Sequence, residues 1–129
     1  MSCKLKILVI EDDALQAMLM VETLSHVGCE VLAVRTGKRG MELARENKFD
    51  LIALDVGLPD INGFEMCREL KQRHVSRHTP VVLVSGNSSE EHWQRGLQAG
   101  ATDFISKPFN AASFTSRILS HVKTETIPA

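Results

Sequence analysis

Cysteine is scarce in this 129-residue chain and never paired: Cys3, Cys29 and Cys67 stand far apart, with no CxxC spacing. An odd set of this kind supports neither a disulfide framework nor a metal knuckle, and it reads as small apolar filler. Charge of one sign is also missing. Fifteen Lys+Arg against sixteen Asp+Glu leave a net charge of -1, so no bulk attraction draws the chain to nucleic acid or to an anionic membrane. Long hydrophobic runs are absent as well. Leu5 to Ile10, the longest candidate near the start, falls far short of the roughly 20 residues that span a bilayer and lacks the flanks of a signal peptide. These absences predict a soluble, cytoplasmic protein. No repeat, low-complexity tract or linker divides the chain, which predicts one domain over 1–124 with a short tail at 125–129 and no room for a second domain. At this length about two-thirds of the surface can be buried, enough for a core without staples.

The chain instead alternates short β-branched runs with longer stretches of helical period. Leu5 to Ile10, Val31 to Val34, Leu51 to Leu54, Val81 to Val84 and Thr102 to Ser106 read as five strands. Three of them are nearly continuous apolar runs, as strands covered on both faces of a parallel sheet require. Helices are predicted at 13–27, 37–48, 63–73, 88–99 and 110–123. Asn62 and Ser88 each stand three residues before a Glu, and Asn110 is placed to cap the last helix. Gly28 and Gly100 sit where helices should stop. Five successive βα units imply right-handed crossovers and helices on both faces, hence an α/β, three-layer, doubly wound fold with a five-stranded parallel sheet.

In such a sheet, ligands bind beyond the carboxyl ends of the strands. Those ends carry Glu11, Asp12 and Asp13 after the first strand, Asp55 at the third, Ser85 at the fourth and Lys107 after the fifth. Two carboxylates about 4 Å apart repel by about 4 kcal/mol at an effective dielectric of about 20, so a cation should join them. Lys107 offsets one charge. Oxygen ligands without His or Cys select a hard cation, Mg²⁺ with retained waters. A hard cation beside a carboxylate, a lysine and a hydroxyl suits a phosphoryl group. Asp55 is the candidate nucleophile, because the tight Val56-Gly57-Leu58-Pro59 loop leaves its carboxylate accessible. Glu11, Asp12 and Asp55 would hold the metal with the Gly57 carbonyl, and Ser85 and Lys107 would contact the phosphoryl oxygens.

These residues resemble the receiver domain of two-component response regulators, the chemotaxis type included, over nearly the whole chain. ILVIEDD at 7–13, LDVGLPDINGFE at 54–65, VLVSGN at 82–87 and DFISKPF at 103–109 stand in the family's order and close to its spacing. The resemblance implies a flavodoxin-like sheet ordered 2-1-3-4-5. It implies Mg²⁺-dependent transfer of a phosphoryl group onto Asp55 from a phosphohistidine of a sensor histidine kinase or histidine phosphotransfer protein, followed by slow hydrolysis. Such a domain is a signalling switch that catalyses only its own phosphoryl transfer. The switch residues would be Ser85, drawn toward the phosphate, and Phe104, whose ring fills the vacated space. Helix 4, strand 5 and helix 5 would form the readout face for a downstream protein, with a homodimer through the same face as a further option. The bond before Pro108 is expected to be cis.

Gly57 and Asn87 occupy positions where relatives often carry side chains that adjust the phosphoryl site, so the resemblance does not set a dephosphorylation rate. An aspartate-nucleophile phosphatase would need a second Asp two residues after Asp55, where Gly57 stands. A flavin site would need a hydroxyl- and Gly-rich loop where Glu11-Asp12-Asp13 would repel the phosphate. At 100° per residue, Ala17, Met20, Val21, Leu24 and Val27 share one face of the first helix, leaving Leu15 and Leu19 opposite. With Met18, those two form an exposed candidate docking patch for the phosphodonor. Trp93 is placed on the readout helix as partly buried filler. His74 and His78 lack a third ligand for zinc. Arg35, Lys38, Arg39 and Arg45 read as a solvated basic face.

Overall fold

The computed structural model describes residues 4–87 and 89–122, so the expectations for Cys3, Ser88 and the C-terminal tail lie outside the described residues. The elements alternate strictly: β1 (Lys6–Ile10), α1 (Ala14–His26), β2 (Glu30–Val34), α2 (Gly37–Glu46), β3 (Leu51–Asp55), α3 (Gly63–Gln72), β4 (Val81–Ser85), α4 (Glu90–Gln98), β5 (Asp103–Ser106) and α5 (Ala111–Ser120). All four strand pairings are parallel, in the order β2-β1-β3-β4-β5. This is the expected doubly wound sheet.

The period-2 alternation of the strands divides the core into two layers. Leu8, Ile10, Ile52, Leu54 and Leu83 point to one side, against Leu43 of α2 and Phe64, Met66 and Leu70 of α3. Ile7, Val9, Leu51, Val82 and Val84 point to the other, against Met20 and Leu24 of α1 and Phe114 and Ile118 of α5. Removing a ring such as Phe114, which is fully buried, costs about 3–5 kcal/mol in a core of this kind. β3 and β4 are buried at every position, which is why their sequences are unbroken apolar runs. β2 lies at the sheet edge and exposes Leu32.

Local chemistry sets the helix ends. Asp13, Thr36, Asn62, Ser89 and Asn110 cap the five helices by accepting backbone N–H bonds. At α4 the capping oxygen is that of Ser89, which accepts from His92, one residue later than the sequence spacing suggested. Gly28 and Gly100 adopt φ of +94° and +95° after α1 and α4, a conformation that stops a helix and that glycine adopts without strain. Val27 departs from expectation. The helical face predicts burial, but α1 ends at His26 and Val27 is its C-cap, which turns the side chain out to 46% exposure. The Lys107–Pro108 bond is cis, as expected.

Candidate functional site

The carboxyl ends of β1, β3, β4 and β5 converge because the ladder runs past each strand. Glu11 N–H donates to Val34 O (3.0 Å), Val56 N–H to Val84 O (2.9 Å) and Lys107 N–H to Ser85 O (2.8 Å). At β3 the chain then turns sharply into α3. A Cβ on Gly63 would lie 2.5 Å from Val56 Cα and 2.8 Å from Asp55 O, so only glycine lets α3 start this close behind Asp55. Asn62 fixes that start by accepting from Phe64 N–H (2.9 Å) and Glu65 N–H (3.3 Å).

Glu11, Asp12 and Asp55 each present a carboxylate oxygen within 4.8 Å of the others. Glu11 is fully buried, and one of its oxygens accepts from Asp13 N–H at 3.2 Å. Lys107 Nζ lies 2.8 Å from the other, Oε1, and 3.5 Å from Asp55 Oδ1. The Lys107–Glu11 approach is a charge contact off hydrogen-bond alignment, which leaves a buried carboxylate oxygen without an aligned partner. Burial pushes the Glu11 carboxyl up to about 7, with Lys107 pulling it down and Asp55 adding to the rise. Burial also works against the Lys107 ammonium, yet Glu11 and Asp55 together hold its pKa above the ordinary lysine value.

These features test the fit of a hard cation. Three carboxylate oxygens within 4.8 Å of one another are close enough to face one small cation whose other positions are filled by the waters that Mg²⁺ retains. The unaligned Glu11 oxygen supplies a negative end that one ammonium does not complete. The donor set therefore fits Mg²⁺.

Of the rim residues read from the sequence, the structure brings Glu11, Asp12, Asp55 and Lys107 together. It removes Asp13, whose carboxylate caps α1 through Leu15 N–H (2.9 Å) and Gln16 N–H (3.1 Å). Gly57 N–H donates to Asp55 Oδ1 at 3.1 Å, and a Cβ on Gly57 would meet only that oxygen, at 3.9 Å. The mouth above Asp55 is open there. Ser85 is buried at the end of β4, its hydroxyl accepting from Asn87 N–H at 3.0 Å. Phe104 is also buried. A Cβ on Gly96 of α4 would lie 3.1 Å from its ring and 3.2 Å from Leu83, so α4 rests directly on this side chain.

Leu15, Met18 and Leu19 are 78%, 57% and 40% exposed on α1. An open, mostly apolar groove of about 610 Å³ lies farther along, between His26 and Val27 of α1 and Ala112 and Thr115 of α5, away from the acid cluster. Trp93 is 44% exposed on α4. His74 and His78 fall beyond α3, and among the described residues neither joins a metal-ligand group. Cys29 and Cys67 are buried thiols; burial pushes Cys67 up to about 11, which keeps it inert.

Two residues near the site take roles that the sequence reading does not give them. Arg35 was grouped with a solvated face, yet its Nε–H donates to Asp12 O at 2.9 Å. Asp60 accepts from Gly37 N–H and Lys38 N–H, each at 2.9 Å, and these two amides hold its carboxyl below the ordinary aspartate value. Both contacts join loops more than twenty residues apart, so no local spacing announces them.

The model of the response regulator receiver domain family matches residues 7–119. The response regulator ArlR of Staphylococcus saprophyticus is 36% identical over 120 residues, covering 93% of this chain and 53% of that protein. The chain thus spans about half the length of this relative. Among solved structures, the chemotaxis response regulator CheY4 of Vibrio cholerae has a TM-score of 0.89 at 27% identity, covering 93% of this chain and 100% of that one. The receiver domain of the sensor histidine kinase PA1611 from Pseudomonas aeruginosa PAO1, solved with a magnesium ion coordinated in the active site cleft, has a TM-score of 0.84 at 28% identity. The match covers 93% of this chain and 98% of that one.

Proposed function

Because this chain belongs to the response regulator receiver domain family, we propose that it is a signalling switch that accepts a phosphoryl group on Asp55 from a phosphohistidine. The observation that carries this reading is the placement of the Asp55 carboxylate within 4.8 Å of those of Glu11 and Asp12 and 3.5 Å from Lys107, beneath an open loop. An Asp55 oxygen attacks phosphorus, the P–N bond breaks with its electron pair leaving on the imidazole nitrogen, and an acyl phosphate forms on Asp55. Lys107 supplies a positive charge to the phosphoryl oxygens, and the Ser85 hydroxyl donates to one of them. When bound by Glu11, Asp12, Asp55 and the Gly57 carbonyl, Mg²⁺ would supply the remaining charge neutralisation. Gly57 leaves the approach to Asp55 clear.

The donor is a histidine kinase or histidine phosphotransfer protein, docking on the Leu15, Met18 and Leu19 patch beside Asp12. Output passes through the α4, β5 and α5 face. There Ser85 turns toward the phosphoryl group and Phe104 is held in its buried place against Gly96, a local charge biasing a packed element. A downstream protein is the target of that face, with a second copy of the chain as the alternative occupant. No helix among the described residues is long and apolar enough to cross a membrane, in keeping with action in the cytoplasm.

The test is phosphorus NMR of the chain incubated with Mg²⁺ and phosphoramidate, whose P–N bond mimics phosphohistidine. An acyl-phosphate signal is expected, and none when EDTA is present from the start of the incubation. Its absence with Mg²⁺ present would overturn the proposal.

A further inference from the structure

The metal-ligating carboxylates stand at the ends of two neighbouring strands. The loop after β1 holds Glu11 and Asp12; the loop after β3 follows Asp55 and runs to Asn62. Their negative groups repel; the β1–β3 ladder, in register up to Ile10 and Leu54, holds Glu11 beside Asp55, and the loops beyond it, which carry Asp12 and Gly57, need ties of their own. The four residues from Arg35 to Lys38, where β2 passes into α2, touch both loops. Arg35 Nε–H donates to Asp12 O at 2.9 Å on one side. On the other, both carboxylate oxygens of Asp60 accept backbone amides, those of Gly37 and Lys38, at 2.9 Å each.

The first four amides of a helix have no partner within it. In α2 the amides of Gly37, Lys38 and Arg39 all go to side chains: Thr36 takes Arg39 N–H on its hydroxyl (3.2 Å) and the other two go to Asp60, while Gly40 N–H to Thr36 O (3.1 Å) is the first bond of the helix itself. The far loop is thus the other half of the cap. The approach is tight as well as polar. A Cβ on Gly37 would lie 2.0 Å from Ile61 Cγ2, so a side chain there would push the Asp60-Ile61 segment away. The turn has a fixed base, since a Cβ on Gly40 would meet Ile10 Cδ1 of β1 at 2.5 Å.

We propose that Arg35 and Asp60 are positioning residues that tie the loops after β1 and β3 to one rigid turn and so set where Asp12 and the Gly57 carbonyl meet a divalent cation beside Glu11 and Asp55. This rests on the Mg²⁺-dependent reading above. Groups that orient metal ligands from behind typically change metal affinity by tenfold or more when removed. A contribution to α2 stability alone would leave affinity untouched.

The experiment is calorimetric titration of the full chain with Mg²⁺, alongside Asp60→Ala, Arg35→Ala and the double variant, each with its thermal midpoint measured. Asp60→Ala should weaken Mg²⁺ binding about tenfold and Arg35→Ala several-fold, and the double variant should lose less than the product of the two, because both act through one turn. Phosphorylation rates of the variants should recover at high Mg²⁺. Asp60→Asn, which keeps one acceptor oxygen, should recover part of the affinity, and with Arg35→Lys it carries the test if an alanine variant does not fold. A lowered thermal midpoint with unchanged Mg²⁺ affinity, or losses that simply multiply, would overturn the proposal. If the unaltered chain binds no Mg²⁺, the proposed function itself fails, a result distinct from variants that bind as well as the unaltered chain.

Discussion

Lys107 lies closer to Glu11 than to Asp55, at 2.8 Å against 3.5 Å. In this structure its ammonium therefore compensates chiefly the more deeply buried carboxylate. Both pKa values stand above the ordinary ones, Glu11 through burial and Lys107 through its two carboxylate neighbours against burial, so each group lowers stability as pH rises through its own window. Glu11 is raised from 4.5 to about 7, so the folded protein keeps a proton that the unfolded chain has lost between those values, and this group lowers stability as pH rises through that window. Lys107 is raised above 10.5; its stabilising contribution is complete below that value and is lost as pH rises through the folded pKa.

With Glu11 in the ligand set proposed above, its titration should set the pH dependence of cation binding. A ligating carboxylate must be ionised, so Mg²⁺ competes with the proton on Glu11. With a pKa of about 7, affinity should fall about twentyfold from pH 7.5 to pH 5.5, and binding at pH 6 should release close to one proton. Calorimetry in buffers of different ionisation enthalpy measures that release. Affinity flat across this range would remove Glu11 from the ligand set.

Lys107 directly follows β5 and links the acid cluster to it, while its backbone N–H donates to Ser85 O of β4 at 2.8 Å. Lys107→Ala should still accept a phosphoryl group on Asp55 but transmit it poorly to β5. Amide NMR shifts around Phe104 on phosphorylation report the link. Shifts as large as in the unaltered protein would show that the lysine is not needed for it.

Between α5 and β5, Arg117 donates through Nε to Asp103 Oδ2 (3.1 Å) and through Nη2 to Asp103 Oδ1 and to Phe104 O (3.0 Å), while His121 Nε2 lies 2.9 Å from Asp103 Oδ2. Burial works to raise the Asp103 carboxyl, but Arg117, His121 and Phe104 N–H outweigh it and hold the pKa below 3.8. The stability this gives is present above the unfolded pKa and is lost as pH falls through the folded one. Arg117→Ala should cost about 1–2 kcal/mol at pH 7, the low end for a charged hydrogen bond because Arg117 is partly exposed. Urea unfolding at pH 7 and pH 3 measures this, and the gap between variant and parent should narrow at the lower pH. An equal gap at both would contradict the assignment to Asp103.

Leu15 and Leu19 project from α1 beside the acid cluster without contributing to the core. Replacing both with Ser should leave the thermal midpoint nearly unchanged and slow phosphoryl transfer from a cognate histidine kinase by tenfold or more, as loss of buried interface anchors does. Labelling by a small donor, which needs no docking surface, should be unaffected. A transfer rate equal to that of the parent would remove the patch from the donor interface.

Much of this was legible because its signals are local. The apolar runs that became β3 and β4 are continuous since both faces are covered, and the glycines that stop α1 and α4 announce their positive φ. The solvent-facing Leu15 and Leu19 follow from 100° spacing alone. Asp13 stands beside the rim acids in the sequence, yet its carboxylate caps α1 and takes no part in the cluster, which is consistent with a ligand set of Glu11, Asp12 and Asp55. Val27 failed where a periodic argument runs past the end of its helix. Arg35 and Asp60 were invisible for a different reason: their partners are twenty-three and twenty-two or more residues away and are backbone atoms, which leave no residue type to recognise.

Intact mass and peptide mapping after incubation with Mg²⁺ and a small acyl-phosphate donor test the central assignment most directly. The account predicts a single added phosphoryl group, carried by the peptide containing Asp55 and missing from Asp55→Ala. Undiminished labelling of Asp55→Ala would contradict it.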